Sequence, residues 1–265
     1  MQISSENYYS KEAAQIYMGA SQFKDFAGSL GKQGCEAAAL AKLKGDWVEE
    51  PSTAMLVGSY VDSHFEGTLS LFKAQNPQLF TKTGDLKAEF RKAEEIINVL
   101  EQDELFMAYM AGEKQVIMTG EIDGVPFKIK MDSYLTYKAI VDMKIVASIT
   151  KKEWVKDFGK MNFIEYWGYD IQGAIYQEVV RQNISQTLPF YIAAGTKEKV
   201  PNKEVIWIDD NRLSEALGFV RLSLPRITAL KRGEAEPTRC GRCDYCRATK
   251  KLIKPIHFSE LEEDI

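Results

Sequence analysis

Along the first hundred residues the apolar positions recur at intervals of three and four, with no strand-like alternation, and this spacing predicts helices. Four are expected, over residues 21–27, 35–44, 53–68 and 86–100, punctuated by Gly31, Gly34, Gly45 and Pro51. The texture changes after Gly112. Residues 113–122, 125–134 and 137–144 alternate or cluster β-formers, and Asp123-Gly124 between the first two is a hairpin signal, because both residues tolerate positive φ. An antiparallel meander of three strands is therefore expected. A helix over 162–182, strands over 190–194 and 205–208 and a helix over 212–231 follow, with Pro225 expected to kink or split the last. This order of elements predicts an α/β sheet flanked by helices. No internal repeat or low-complexity linker interrupts it. One domain is expected over 1–265, with a helical part (1–105), a sheet core (106–210) and a C-terminal helix with a Cys-rich basic tail (211–265).

Composition narrows the class. With 265 residues and 45% hydrophobic content the chain can bury a substantial core, which excludes disorder. No run of about 18 uncharged apolar residues exists. The start lacks a basic segment followed by an apolar one, so neither membrane insertion nor secretion is expected, and a cytoplasmic location follows. The net charge of −4 conceals an asymmetry. Between Arg221 and Lys254 stand ten Lys or Arg against three acids, a surplus of seven that leaves the remainder at −11. Such a tail is an electrostatic footprint for a polyanion or else a solvated face, while an acidic remainder is compatible with carboxylates gathered around metal ions.

The candidate chemistry lies on the meander. Asp142 and Lys144 end its third strand and share a face, since side chains alternate with period two. If residues 134–137 form the turn, Asp132 approaches Asp142, and two carboxylates at one spot call for a cation. Mg²⁺ suits a site of few carboxylates completed by water and phosphate oxygens. Glu113 is a candidate third carboxylate. His64 falls on the helix predicted over 53–68. Tyr169, Gln172 and Tyr176 line one face of the helix over 162–182, where a glutamine among aromatics needs a polar partner.

Taken in order, His64, Glu113, Asp132, Asp142-Met143-Lys144 and Gln172 with Tyr176 resemble the motif series of the PD-(D/E)XK nucleases, in the branch of RecE-like and phage alkaline exonucleases and the RecB and AddB nuclease domains. The resemblance implies a restriction-endonuclease-like core with a central mixed sheet. It implies that Asp132, Asp142 and the Met143 carbonyl hold Mg²⁺ or Mn²⁺, that Glu113 and His64 complete the metal environment, that Lys144 serves the nucleophilic water, and that Gln172 and Tyr176 support the site. The implied activity is exonucleolytic hydrolysis of linear double-stranded DNA, 5′ to 3′, in phage-type recombination, with a RecT-like annealing protein as partner and a ring-shaped homo-oligomer as assembly. Many relatives carry glutamate where Asp142 stands.

Four cysteines complete the inventory. Cys240, Cys243 and Cys246 have the x2 spacing of metal ligands, and the arginines around them favour thiolates. The fourth ligand is implied by the resemblance, since AddB-like relatives join one N-terminal cysteine to three C-terminal ones around a [4Fe–4S] cluster, and Cys35 stands in the corresponding position. Zinc, or four free thiols, remain alternatives. Two other functions stay open: a structure-specific endonuclease of the same fold, and a non-catalytic, Cys-metal DNA-binding module whose carboxylates are only a charged sheet edge.

Overall fold

The structure, a computed structural model, describes residues 1–260; the final five positions of the expected tail lie outside the described residues. The N-terminal part consists of α1 (Lys11–Ile16), α2 (Ala20–Ala27), α3 (Glu36–Lys44), α4 (Thr53–Phe65), α5 (Leu69–Gln75), α6 (Ala88–Glu101) and α7 (Glu104–Tyr109). The sheet region contains β1 (Val116–Ile122), β2 (Val125–Met131), β3 (Ser133–Leu135), β4 (Ala139–Val146), β5 (Glu153–Val155) and β6 (Gly159–Met161). After it come α8 (Phe163–Trp167), α9 (Tyr169–Ile184), β7 (Phe190–Thr196), β8 (Lys203–Ile208), α10 (Asp210–Arg232) and α11 (Asp244–Ala248).

The central sheet has the order β3-β4-β7-β8 and is mixed: β4 pairs parallel with β7, and the two outer pairings are antiparallel. A strand with a parallel neighbour and helices on both faces must be apolar almost throughout. β4 meets that demand except at Asp142 and Lys144. Its period-two alternation sends Ile140 and Val146 into one core, with Phe190, Ile192, Ile175 and Val179, and Val141 and Met143 into a second, with Val61, Ile96 and Ile97. Each fully buried side chain of this size contributes about 1.5–3 kcal/mol. Asp142 and Lys144, at even positions, therefore face the layer of α9.

Three expectations change. The strand predicted over 125–134 is broken at Asp132: β2 pairs with β1 in a separate hairpin, and β3 joins the central sheet. The helix predicted over 162–182 is two helices. Asn162 and Glu165 cap α8 reciprocally, and Gly168, at φ 63°, turns the chain left-handed between them. A Cβ there would stand 2.9 Å from Ser29 Cβ, so close approach and conformation both require glycine. Pro225, in contrast, does not split α10, which runs unbroken through 23 residues. Arg221 and Pro225 are both exposed, so the carbonyl that Pro225 leaves without a donor faces water. The β5–β6 hairpin escaped the sequence reading because its Trp154 and Phe158 are exposed and give no burial pattern. Among the described residues no helix is long and apolar enough to cross a membrane.

Candidate active site

The break at Asp132 and the polar positions of β4 form one structure. Leaving the β2 ladder, Asp132 turns its carboxylate toward β4, where Oδ2 accepts the Met143 backbone N–H at 2.8 Å. Gln115 reaches its other oxygen at 3.4 Å. Asp142 Oδ1 accepts the Gln172 side-chain amide from α9 at 2.6 Å, so the glutamine in the aromatic stripe finds its partner here. Lys144 is in ion-pair contact with Asp142 Oδ2 and donates to the Met143 carbonyl at 3.2 Å. No hydrogen bond of good geometry reaches that buried Oδ2, but the ammonium lies against it, and this contact decides the electrostatics. Tyr176 donates its hydroxyl to the Lys130 carbonyl at 3.0 Å and so fastens α9 to β2.

These groups border a half-open cavity of about 460 Å³, which α4 closes with Asp62 and Glu66. Burial, and then the Asp132 charge, push the Asp62 carboxyl well above its ordinary range. Burial, and then the Asp142 charge, raise Asp132 to about 7. For Lys144 burial works toward neutrality, but the Asp142 and Asp132 carboxylates outweigh it and raise the ammonium above its ordinary range. Three acids share one ammonium, and all the donors are hard oxygens. That donor set fits Mg²⁺ or Mn²⁺, and the crowding is what a divalent cation relieves.

Not every expected residue is there. Glu113 is exposed; its backbone bridges Tyr134, beyond Asp132, and its carboxylate accepts the Thr136 hydroxyl at 2.6 Å. It does not line the cavity. His64 points to Glu101, with 2.7 Å between Nε2 and Oε1, and is absent from the cavity wall as well. Two residues of α-helix turn about 200°, so Asp62 and His64 face opposite sides of α4. Asp62 and Glu66, four apart, share a side. The signal for Asp62 was an acid between the buried positions Val61 and Ser63. Tyr8, Tyr9, Lys128 and Lys130 also line the cavity and carried no motif.

The four cysteines meet at the opposite ends of the chain. Cys35 caps α3, Cys246 lies on α11, and all four Sγ atoms stand within 4.8 Å of one another. Cys35 and Cys246 are 3.6 Å apart, Cys240 and Cys246 3.9 Å. For Cys240 burial opposes ionisation, but backbone N–H groups of Cys243 and Arg242 outweigh it and lower the thiol to about 6. Among the described residues these thiols form the tightest set of metal-ligating atoms; the cavity's carboxylates are not drawn together as closely.

A mixed sheet whose central strand presents Asp-x-Lys, faced by an aspartate from the break between the two preceding strands and a glutamine from the following helix, defines the PD-(D/E)XK class. Residues 19–249 match the model of the family described as a PDDEXK-like domain of unknown function (DUF3799), and the chain belongs to that family. A crystal structure of an Eubacterium rectale protein, described as a candidate exonuclease, shares 56% identity over 100% of both chains, with a TM-score of 0.97. The solved structure of SSO0001 aligns over 78% of this chain and 88% of that chain at 15% identity and a TM-score of 0.30, which carries no argument. No curated protein matches the chain.

Proposed function

We propose that the chain is a Mg²⁺- or Mn²⁺-dependent exodeoxyribonuclease that hydrolyses linear double-stranded DNA. The observation that carries this reading is the meeting of Asp132 and Asp142 beside Lys144, with Gln172 holding the second carboxylate. Asp132 and Asp142 would hold the ion with the Met143 carbonyl, and Asp62 would join them from α4. Such an ion offsets the crowded carboxylates, polarises the scissile phosphate and acidifies water.

The remaining steps belong to the chain. Lys144, against Asp142 Oδ2 and donating to the Met143 carbonyl, places its ammonium to orient the attacking water and stabilise negative charge on the phosphate. Gln172 occupies Asp142 Oδ1, which leaves Oδ2 for charge partners. Tyr176 keeps α9 in register with the strand that leads into Asp132. The 5′-to-3′ polarity, the recombination setting, a RecT-like partner and a homo-oligomeric ring rest on the resemblance of the motif series.

Four thiols are the donor set of a structural zinc site or of a [4Fe–4S] cluster. A tetrahedron with Zn–S bonds near 2.3 Å has edges of about 3.8 Å, close to the separations of 3.6 Å and 3.9 Å that Cys246 makes with Cys35 and Cys240, with all four thiols within 4.8 Å of one another. In a cubane each thiolate binds a different iron and stands farther from the others. The spacing therefore favours one ion, and the role is to clamp α3 to the C-terminal segment.

Purified protein is tested for nucleotide release from linear and from covalently closed duplex DNA, with Mg²⁺, with Mn²⁺ and with EDTA. Metal-dependent digestion of the linear form alone is expected. Cutting of the closed form would assign an endonuclease, and DNA binding without hydrolysis in either metal would leave a thiol-rich binding protein. Metal analysis with visible absorbance of an anaerobic preparation separates zinc from an iron–sulfur cluster.

A further inference from the structure

One wall of the cavity comes from residues that precede the family match, which begins at residue 19. Tyr8 is fixed there from both sides: its hydroxyl donates to the Lys128 carbonyl at 3.4 Å, and the Lys128 ammonium, 4.7 Å from the ring centroid, donates to the Tyr8 carbonyl. Against it, edge to face at 4.9 Å, stands Tyr9, which is 78% exposed although Lys130 lies only 4.7 Å from its ring centroid. An aromatic ring left in solvent, anchored by its neighbour and flanked by a cation, is a stacking platform without an occupant.

The cations are placed for a strand. Phe127, Ile129 and Met131 of β2 enter the core, so Lys128 and Lys130 occupy the other face, in the register that continues to Asp132. Their spacing along the strand is about 6.8 Å, comparable to that of successive phosphates on an extended single strand. Neither lysine has an acidic partner among the described residues. Lys128 is nevertheless buried, and burial lowers its pKa, a cost that a bound phosphate would offset. A volume of about 460 Å³ admits a nucleotide or so but not both strands of a duplex.

We propose that Tyr9 and Lys130 seat the base and phosphate of one unpaired strand on its way to the carboxylates, so that the substrate is a frayed or single-stranded end. The hydrolysis of a seated strand rests on the nuclease reading, but its binding does not. The probe is an oligonucleotide bearing 2-aminopurine near one end, titrated in EDTA into the full-length protein and into Tyr9→Ala, Tyr9→Trp and Lys130→Ala, all checked for unchanged melting. Fluorescence quenching is expected with the natural chain and with Tyr9→Trp, and loss of quenching with about 5- to 150-fold weaker binding for Tyr9→Ala, the range of one lost base stack.

In Mg²⁺ or Mn²⁺, Tyr9→Ala raises KM for DNA with unpaired ends and abolishes any preference over blunt ends. Quenching without hydrolysis by the natural chain would overturn the nuclease reading and keep the seat. Hydrolysis with equal KM and equal quenching in Tyr9→Ala would overturn the seat and keep the nuclease.

Discussion

Asp132 Oδ2 accepts the backbone N–H of Met143 at 2.8 Å, which ties the break between two sheets to the strand that carries Asp142 and Lys144. The carboxylate thus does two jobs: it satisfies a β4 donor just past the point where the β3–β4 ladder stops, and it lines the cavity. Asp132→Ala removes an acceptor as well as a charge, whereas Asp132→Asn keeps the shape and loses only the charge.

Lys144→Ala is expected to lower the rate of DNA hydrolysis by about 10²–10³, the usual effect of one lost electrostatic donor to a transition state. It also leaves Asp142 and Asp132 without their shared counter-charge. Single-turnover digestion at saturating DNA checks the first effect. Melting in EDTA at neutral pH, which should fall, checks the second. Unchanged digestion would remove Lys144 from the mechanism.

Asp132 titrates near 7 when folded, against an ordinary value of 3.8. A raised carboxyl pKa means that the folded chain holds the proton more tightly, so the stability it gives is present at low pH and is lost as pH rises from about 4 to about 7. Asp62, shifted the same way, adds to this slope. Without divalent metal, the melting temperature relative to Asp132→Asn should therefore decline through that window. Added Mg²⁺ should raise it at pH 8 and not at pH 5.

Asp62 lines the cavity and His64 and Glu113 do not, and three variants test which of them serve the metal. Asp62→Asn is expected to weaken Mg²⁺ dependence and activity at least tenfold, or about 1.4 kcal/mol. His64→Ala and Glu113→Ala should stay within about 0.5 kcal/mol of the natural chain, as replacements away from a site do. Metal titrations of activity decide, and the opposite ranking would restore the motif assignment.

Cys35 and Cys246 lie 211 residues apart in sequence, so a metal held between them constrains a very long loop. Cys246→Ser, or removal of the metal with a strong chelator, should cost about 2 kcal/mol or more, which for a chain of this size lowers the melting temperature by roughly 4–8 °C. The same seam carries Glu36, lowered to about 2, chiefly by the Arg226 guanidinium. Its contribution is present above pH 4.5 and is lost as pH falls toward 2, so Glu36→Gln should destabilise at pH 7 and converge with the natural chain in acid.

Much of the molecule was legible in its residues because periodicity is local. The helices expected over 21–27, 35–44, 53–68 and 86–100, which the structure places to within three residues, the Asp123-Gly124 hairpin and the alternation that puts Asp142 and Lys144 on one face need only spacing and turn chemistry. Gln172 was legible for another reason: a polar side chain in an apolar stripe must find a partner somewhere.

Tertiary structure decided the rest. That Asp62 lines the cavity and His64 does not depends on which side of α4 meets the sheet, and a helix with buried residues on more than one side does not state that in its sequence. Glu113 stands outside the cavity lining because its bridge to Tyr134 fixes a register that spacing leaves free. The Tyr8–Tyr9 wall arises from contacts more than a hundred residues apart. Short-range pattern sets what each segment becomes and which side chains share its faces; the meeting of those faces is a property of the packed whole, because burial is satisfied only by partners distant in the chain.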